Sequence, residues 1–150
     1  MGNNNYREVF LEMLKSVSLM ILALFSGLSF SQDSSFVFKN DDRPTFEQYI
    51  TVKELSETLG ESNLVLLDVR LKEDFDKDPA LIPGATYLDP ELLPEWSTSL
   101  SKDSKVVVYC VAGKWVSQKV AFLLNEQGIA VSTLSGGIKA WKQSVKATHK

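Results

Sequence analysis

Near-continuous apolar runs alternate with helical patterns along most of the chain. Residues 64–69 and 106–109 are almost entirely apolar, which is typical of strands covered on both faces, as in a parallel sheet. Residues 129–134 predict a further short strand. Because helical segments separate these runs, the sequence predicts an α/β domain with a mostly parallel central sheet that helices flank on both faces.

Capping residues and glycines mark the helix boundaries. Thr51 and Glu54 have the spacing of a capping box, which predicts a short helix from this point to Gly60. Apolar residues recur at helix-face spacing between 116 and 124, and Gly128 has the position of a C′ glycine, so this helix should end near residue 127. Further helical patterns occupy residues 91–100 and the residues after Gly136 and Gly137.

An uncharged segment, residues 16–32, precedes the predicted domain. Its apolar core, residues 17–25, has the length of a signal-peptide h-region, whereas a membrane span needs about 20 apolar residues. Ser29 and Ser31 supply small residues before a cleavage point, although acidic residues ahead of the core depart from the usual positive start. Export by a cleaved signal peptide is the first interpretation, and a membrane anchor or an ordinary buried helix are the alternatives.

These features divide the chain into three parts. Residues 1–31 are the predicted signal peptide or membrane anchor, residues 32–45 are a linker rich in Ser, Asp and Asn, and residues 46–150 are the predicted folded domain. We expect the protein to be exported, either to a periplasm or as a secreted protein. Any membrane anchoring is expected only through residues 16–31.

Composition restricts the possible partners and cofactors. With 150 residues, 44% of them hydrophobic, the chain is long enough to bury one core. The formal net charge of −3, without a basic stripe, argues against a nucleic-acid partner. One cysteine, Cys110, and one histidine, His149, provide neither a disulfide framework nor a set of metal ligands, so we expect no metal and no cofactor.

Cys110 ends an apolar strand and precedes a helix, so we expect it on a tight turn between the two. Backbone N–H groups without helical partners point into such a turn, and the positive end of the helix dipole favours thiolate over thiol. Residues 111–116 are predicted to surround an anionic atom with N–H groups, and Gly113 lets the backbone curve tightly. The sequence therefore predicts a reactive thiol, with a buried, inert thiol as the alternative.

Four sequence blocks resemble the rhodanese-like family, in the family's order, over roughly residues 46–144. The blocks are Leu67-Asp68-Val69-Arg70 with Glu73-Asp74-Phe75, then Ile82-Pro83-Gly84-Ala85, then Val108-Tyr109-Cys110 with Gly113, and finally Leu134-Ser135-Gly136-Gly137-Ile138-Lys139-Ala140-Trp141. The resemblance implies a rhodanese-like domain with the activity of a single-domain sulfurtransferase.

The resemblance also implies a reaction and its partners. Cys110 would attack the sulfane sulfur of a small donor such as thiosulfate, a persulfide or a polysulfide, and would become a persulfide itself. It would then pass the sulfur to a thiol or cyanide-type acceptor, with protein thiols among the candidates. The substrate-binding loop would consist of Val111, Ala112, Gly113, Lys114, Trp115, Val116 and Ser117.

The loop departs from the family pattern, in which the cysteine is followed by x-x-Gly-x-Arg-Ser. Trp115 stands at the arginine position and Val116 at the serine position, with Ser117 as a serine displaced by one residue. Lys114 is the only cation in the loop, and it lacks the planar fork of arginine, so we expect weaker binding of a thiosulfate-like dianion. The loop therefore favours a less charged or larger donor, and it argues against a phosphatase, which needs the guanidinium.

Two functional interpretations follow. The first is an exported sulfurtransferase, and the second is a catalytically weak rhodanese-like module that acts through partner docking or oxidation of Cys110. We expect Asp68 and Arg70 to make structural hydrogen bonds between the strand end and neighbouring loops, because no acid–base partner accompanies them. Trp115 is expected to contact the donor or to pack over the loop as a lid.

Overall fold

The computed structural model describes residues 36–39 and 44–148. The predicted signal peptide or anchor, residues 1–31, lies outside the described residues, as do residues 32–35 and 40–43 of the predicted linker. Within the described ranges, no helix combines the length and the apolar character that crossing a membrane requires.

In the described part of the chain, five parallel strands form one sheet in the order β1-β5-β4-β2-β3. This arrangement confirms the predicted α/β fold with a parallel sheet. In the register of β2 and β4, Asp68 lies opposite Tyr109, so the segments that follow the two strands leave the sheet at the same edge. The strands are β1 (Tyr49–Ile50), β2 (Leu64–Asp68), β3 (Ala85–Tyr87), β4 (Lys105–Tyr109) and β5 (Val131–Leu134).

Helices cover both faces of the sheet, as the sequence predicts. Side chains alternate along a strand, so Val106 and Val108 pack into one core cluster while Val107 and Tyr109 pack into another. The first cluster includes residues of α3 and α4, and the second includes residues of α1 and α5. The helices are α1 (Val52–Thr58), α2 (Lys72–Lys77), α3 (Leu93–Ser97), α4 (Trp115–Glu126) and α5 (Gly137–Thr148), with a 3₁₀ turn at Pro90–Leu92.

The predicted helix boundaries are confirmed at α1 and α4. Thr51 and Glu54 form the capping box, with the Thr51 N–H donating to Glu54 Oε2 at 2.8 Å and the Glu54 N–H to Thr51 Oγ1 at 3.2 Å. At the end of α4, Gly128 adopts φ +79° and the N–H of Ile129 donates to the carbonyl of Leu124 at 3.1 Å. Because Ile129 completes this helix cap, β5 begins two residues later than the apolar run predicts.

Among the described residues, the sequence did not predict three short elements: β1, β3 and α2. Strands β1 and β3 have only two and three residues, which is too short for a period of two to be visible. The sequence assigned residues 82–85 to a loop, and β3 begins at the last of them. Helix α2 has no buried residue, so it lacks the apolar stripe that reveals a helix.

Part of the predicted linker packs against the domain. Phe38 is only 7% exposed, and its ring stacks on Trp115 with 5.7 Å between centroids. The Lys119 ammonium donates to the carbonyl of Lys39 at 2.7 Å. The compact unit consequently begins at Phe36, ten residues before the domain boundary at residue 46 that the sequence indicates.

Candidate active site

Cys110 directly follows the central strand β4, and α4 begins five residues later at Trp115. Strand β4 is central because β2 and β5 pair with it on either side. Cys110 is 3% exposed and lines a pocket. This placement agrees with the tight strand-to-helix turn that the sequence predicts.

Ser117, in the first turn of α4, is the polar side chain next to the sulfur. Its Oγ lies 3.3 Å from Cys110 Sγ and donates to the carbonyl of Lys114 at 3.1 Å. A hydroxyl has one proton, so in this arrangement the thiol S–H donates to Ser117. When the sulfur is a thiolate, rotation of the same hydroxyl lets it donate to the sulfur instead.

The backbone of the loop carries a row of free donors. Among the described residues, no acceptor receives a hydrogen bond from the N–H groups of residues 111–117. The carbonyls of Cys110 and Val111 accept hydrogen bonds from Ile138 and Lys139, at 3.0 and 3.2 Å. In a trans peptide the N–H points opposite to the carbonyl, so these two bonds turn the following N–H groups away from α5. Such a row suits an anionic atom.

The start of α5 braces this loop through direct backbone contact. Gly113 has φ +64°, and a Cβ on it would lie 2.5 Å from the carbonyl oxygen of Leu134. Gly137 has φ +58°, and a Cβ there would lie 2.3 Å from the carbonyl oxygen of Cys110. The predicted tight curvature at Gly113 is confirmed, and the two glycines let two backbones meet without side chains between them.

Arg70 follows β2 and is almost fully buried against Asp68. Its Nε lies 2.9 and 2.8 Å from the two carboxylate oxygens, and Nη2 also bonds to the carboxylate. Nη1 and Nη2 donate to the carbonyls of Asp78 and Ala80 at 2.7 and 3.2 Å. Burial opposes the charge of Arg70, but the hydrogen bonds and charge of Asp68 raise its pKa above the ordinary value. The predicted structural hydrogen bonds of this pair, between the strand end and neighbouring loops, are present.

A cavity of about 180 Å³ opens beside the sulfur. This volume suits a small molecule rather than a drug-sized ligand, which needs roughly 300 Å³ or more. Of the predicted site residues, Gly113 and Ser117 do not line the cavity. Gly113 lies against the backbone of Leu134, and Ser117 Oγ lies 3.3 Å from the sulfur. The cavity is lined by the predicted residues Cys110, Val111, Ala112, Lys114, Trp115 and Val116, and by Arg70, Leu71 and Asp74.

Arg70, Leu71 and Asp74 are the lining residues that sequence reasoning did not place in the site. Of these, Leu71 and Asp74 had been given no role. Both follow β2, whose carboxyl end lies beside that of β4. Asp74 belongs to the acidic-aromatic block of the resemblance, and this was the available signal. Once the sheet order is known, the adjacent carboxyl ends of β2 and β4 place Asp74 beside the cysteine loop.

Comparison with known proteins finds relatives of this chain that are named as sulfurtransferases. A family model for the rhodanese-like domain matches residues 51–144. A sulfurtransferase of Allochromatium vinosum is 34% identical, over 61% of this chain and 85% of that protein. A thiosulfate sulfurtransferase of Coxiella burnetii is 36% identical, over 57% and 78% respectively. The crystal structure of a rhodanese-like domain protein from Staphylococcus aureus superposes with a TM-score of 0.55 at 30% identity, covering 63% of this chain and 90% of that one.

The matched region contains the end of β2, the start of α2 and the cysteine loop, which line the pocket, and the start of α5, which braces the loop. The relatives named as sulfurtransferases support a sulfurtransferase-type function for this chain. The resemblance seen in the sequence is thereby confirmed, and the chain belongs to the rhodanese-like domain family.

Proposed function

We propose that the protein transfers sulfane sulfur through a persulfide on Cys110. One observation carries this proposal: Cys110 Sγ lines a small pocket inside a loop whose N–H groups, at residues 111–117, have no acceptor among the described residues. A terminal persulfide sulfur is anionic, and backbone N–H groups stabilise such a charge without a side chain.

The transfer has two balanced steps. In the first, the Cys110 thiolate attacks the outer sulfur of a donor R–S–S–H, the donor S–S bond breaks, and R–S⁻ leaves with its electron pair. The products are a Cys110 persulfide and, after proton uptake, the thiol R–S–H. In the second, an acceptor thiolate attacks the outer sulfur of this persulfide and releases the Cys110 thiolate again.

The charges around the pocket favour an organic persulfide or polysulfide over thiosulfate as the donor. Thiosulfate carries two negative charges, and its tight binding needs a free guanidinium or several cations. Trp115 occupies the position where the family has its loop arginine, and Arg70 is already neutralised by Asp68. Lys114 remains as the loop cation, so a donor with less charge and more apolar surface suits this site better.

Mass spectrometry of the intact protein tests the proposal. After incubation with glutathione persulfide, we expect a mass gain of one sulfur atom, removed by cyanide or a thiol and absent in Cys110→Ser. We also expect a larger kcat/KM for glutathione persulfide than for thiosulfate; the reverse order would refute the donor preference. No sulfur adduct with persulfide, polysulfide or thiosulfate would refute the transferase and support the alternative, a binding or redox-sensing module.

Ser117 provides a more specific test of the site. We expect Ser117→Ala to slow sulfur loading of Cys110 by roughly 3- to 10-fold, because a hydrogen bond to the attacking sulfur is lost. Ser99→Ala is the matched control, since this hydroxyl donates to the carbonyl of Trp96 at 2.7 Å on the exposed surface. Equal loading rates for the two variants would show that the hydroxyl has no part in the transfer.

We further propose that the chain is exported by its N-terminal segment, with membrane anchoring through residues 16–31 as the alternative. The support is the uncharged apolar stretch with small residues after it. Mass spectrometry of the protein from its native host distinguishes the two: cleavage near Gln32 supports export, and an intact N-terminus in the membrane fraction supports the anchor.

A further inference from the structure

We infer that Asp74 selects donors that carry an ammonium group, so that the preferred substrate is the persulfide of an amino-acid thiol such as cysteine. This inference rests on the proposed sulfur transfer and names the substrate class of the same pocket. It follows from the charges that line the pocket and from the groups that already neutralise them.

Three charged side chains line the pocket, and one of them is already paired. Arg70 is held by both carboxylate oxygens of Asp68. The Asp74 carboxylate and the Lys114 ammonium form no hydrogen bond or ion pair with any residue that the structure describes. The pocket therefore presents one negative and one positive group of its own.

The neighbouring cation does not neutralise Asp74 directly. Lys77 lies in the electrostatic field of Asp74, but its ammonium is bonded to Glu73 at 2.7 Å on the surface of α2. The backbone N–H of Asp74 donates to the carbonyl of Leu71 at 2.9 Å, which fixes the residue in the first turn of the helix. Asp74 is half-buried, whereas Glu73 is exposed, so the charge of Asp74 is the less screened of the two.

The remaining walls of the pocket are apolar, formed by Leu71, Val111, Ala112, Trp115 and Val116. The loop N–H groups suit one anionic sulfur, but the second charge of a thiosulfate dianion would meet these apolar side chains and the Asp74 carboxylate, and both oppose its entry. An amino-acid persulfide brings a short methylene stem for the walls, an ammonium for Asp74 and a carboxylate for Lys114. A cavity of about 180 Å³ has the size for such a donor.

A pair of matched donors tests the inference. Cysteine persulfide and 3-mercaptopropionate persulfide differ only in that the second has hydrogen in place of the amino group. We expect the wild-type protein to be loaded with sulfur about 5- to 10-fold more efficiently by the first, which is the range of one partly screened charge pair. Asp74→Asn should reduce this ratio to about one, and Glu91→Gln, which removes an exposed carboxylate outside the pocket lining, should leave it unchanged.

Both loading efficiencies are measured on the same protein sample. If part of the Asp74→Asn protein is unfolded, both efficiencies fall by the same factor and their ratio is unaffected. A ratio near one in the wild type, or a ratio that survives Asp74→Asn, would overturn the role of Asp74 while leaving the sulfur transfer intact. If neither persulfide loads Cys110, the proposed function itself fails. Faster loading of Asp74→Asn by thiosulfate, relative to wild type, would add support, since a repelling charge is removed; unchanged or slower loading would count against the inference.

Discussion

Gly137→Ala should disrupt the active-site loop from a residue 27 positions away in the sequence. The first residue of α5 has φ +58°, and a Cβ there would lie 2.3 Å from the carbonyl oxygen of Cys110, 2.6 Å from the N of Gly113 and 2.9 Å from the N of Ala112. All three are backbone atoms, which have no rotamer to change. The loop or the helix must move to admit the methyl group.

Two costs add up in this variant. A left-handed backbone conformation costs an L-residue about 1–2 kcal/mol, and forcing a methyl group into a filled space costs about 1–3 kcal/mol. The free energy of unfolding should fall by about 2–5 kcal/mol, out of the roughly 5–15 kcal/mol that a domain possesses. Since the clash falls on the peptide of Cys110, sulfur loading should also slow in the protein that remains folded.

Gly84→Ala separates the two costs. Gly84 has φ +81°, but a Cβ on it meets no atom within 4 Å, so this variant carries the backbone cost without the clash. In urea unfolding, Gly137→Ala should have a midpoint about 1 M lower than that of Gly84→Ala, for a denaturant slope of about 2 kcal/mol/M. Equal midpoints and equal loading rates would refute the bracing of the loop by α5.

Two further substitutions test the surroundings of the pocket. Arg70→Leu should lower the free energy of unfolding by about 3–5 kcal/mol, because Asp68 is left charged and buried. Lys72→Met breaks an exposed ion pair and should lower it by less than about 1 kcal/mol. Similar urea midpoints for the two variants would contradict this expectation. Phe38→Ala should cost about 3 kcal/mol by thermal or urea unfolding and the half-exposed Phe36→Ala clearly less, since Phe38 is 7% and Phe36 37% exposed. If Phe38→Ala has a negligible effect, residues 36–39 act as a linker and do not contribute to the stability of the domain.

The relation of Arg70 to the pocket illustrates how sequence and structure divide the information. The order of blocks in the sequence indicated the family, and the absence of an acid–base partner indicated that Asp68 and Arg70 form structural hydrogen bonds. The sequence could not show that Arg70 lines the pocket while its charge is neutralised. The pairing of β2 beside β4 brings Arg70 to the pocket, and the loop carbonyls of Asp78 and Ala80, whose positions are set by the fold, help to hold its guanidinium.

The position of Phe38 shows a different limit. A stretch rich in Ser, Asp and Asn is typical of a linker, and a single aromatic residue within it has no periodicity that would indicate burial. Its burial depends on Trp115, which lies 77 positions further along the chain. A contact such as that between Phe38 and Trp115 depends on which surfaces meet in the folded domain, and a local sequence pattern does not predict it.

The sequence by itself determined the longer elements, their parallel arrangement, the family and the place of Cys110 between a strand and a helix. The elements and the cysteine turn are local, because apolar periodicity, caps and glycines act over a few residues. The family and the parallel arrangement follow from the order of blocks and elements along the chain. The tertiary structure decided which groups surround the sulfur. Pairing of β2 beside β4 brings Asp74 to the pocket, and pairing of β5 on the other side places Gly137 against the loop. Both follow from the strand order, a property of the whole sheet that is absent from any single segment.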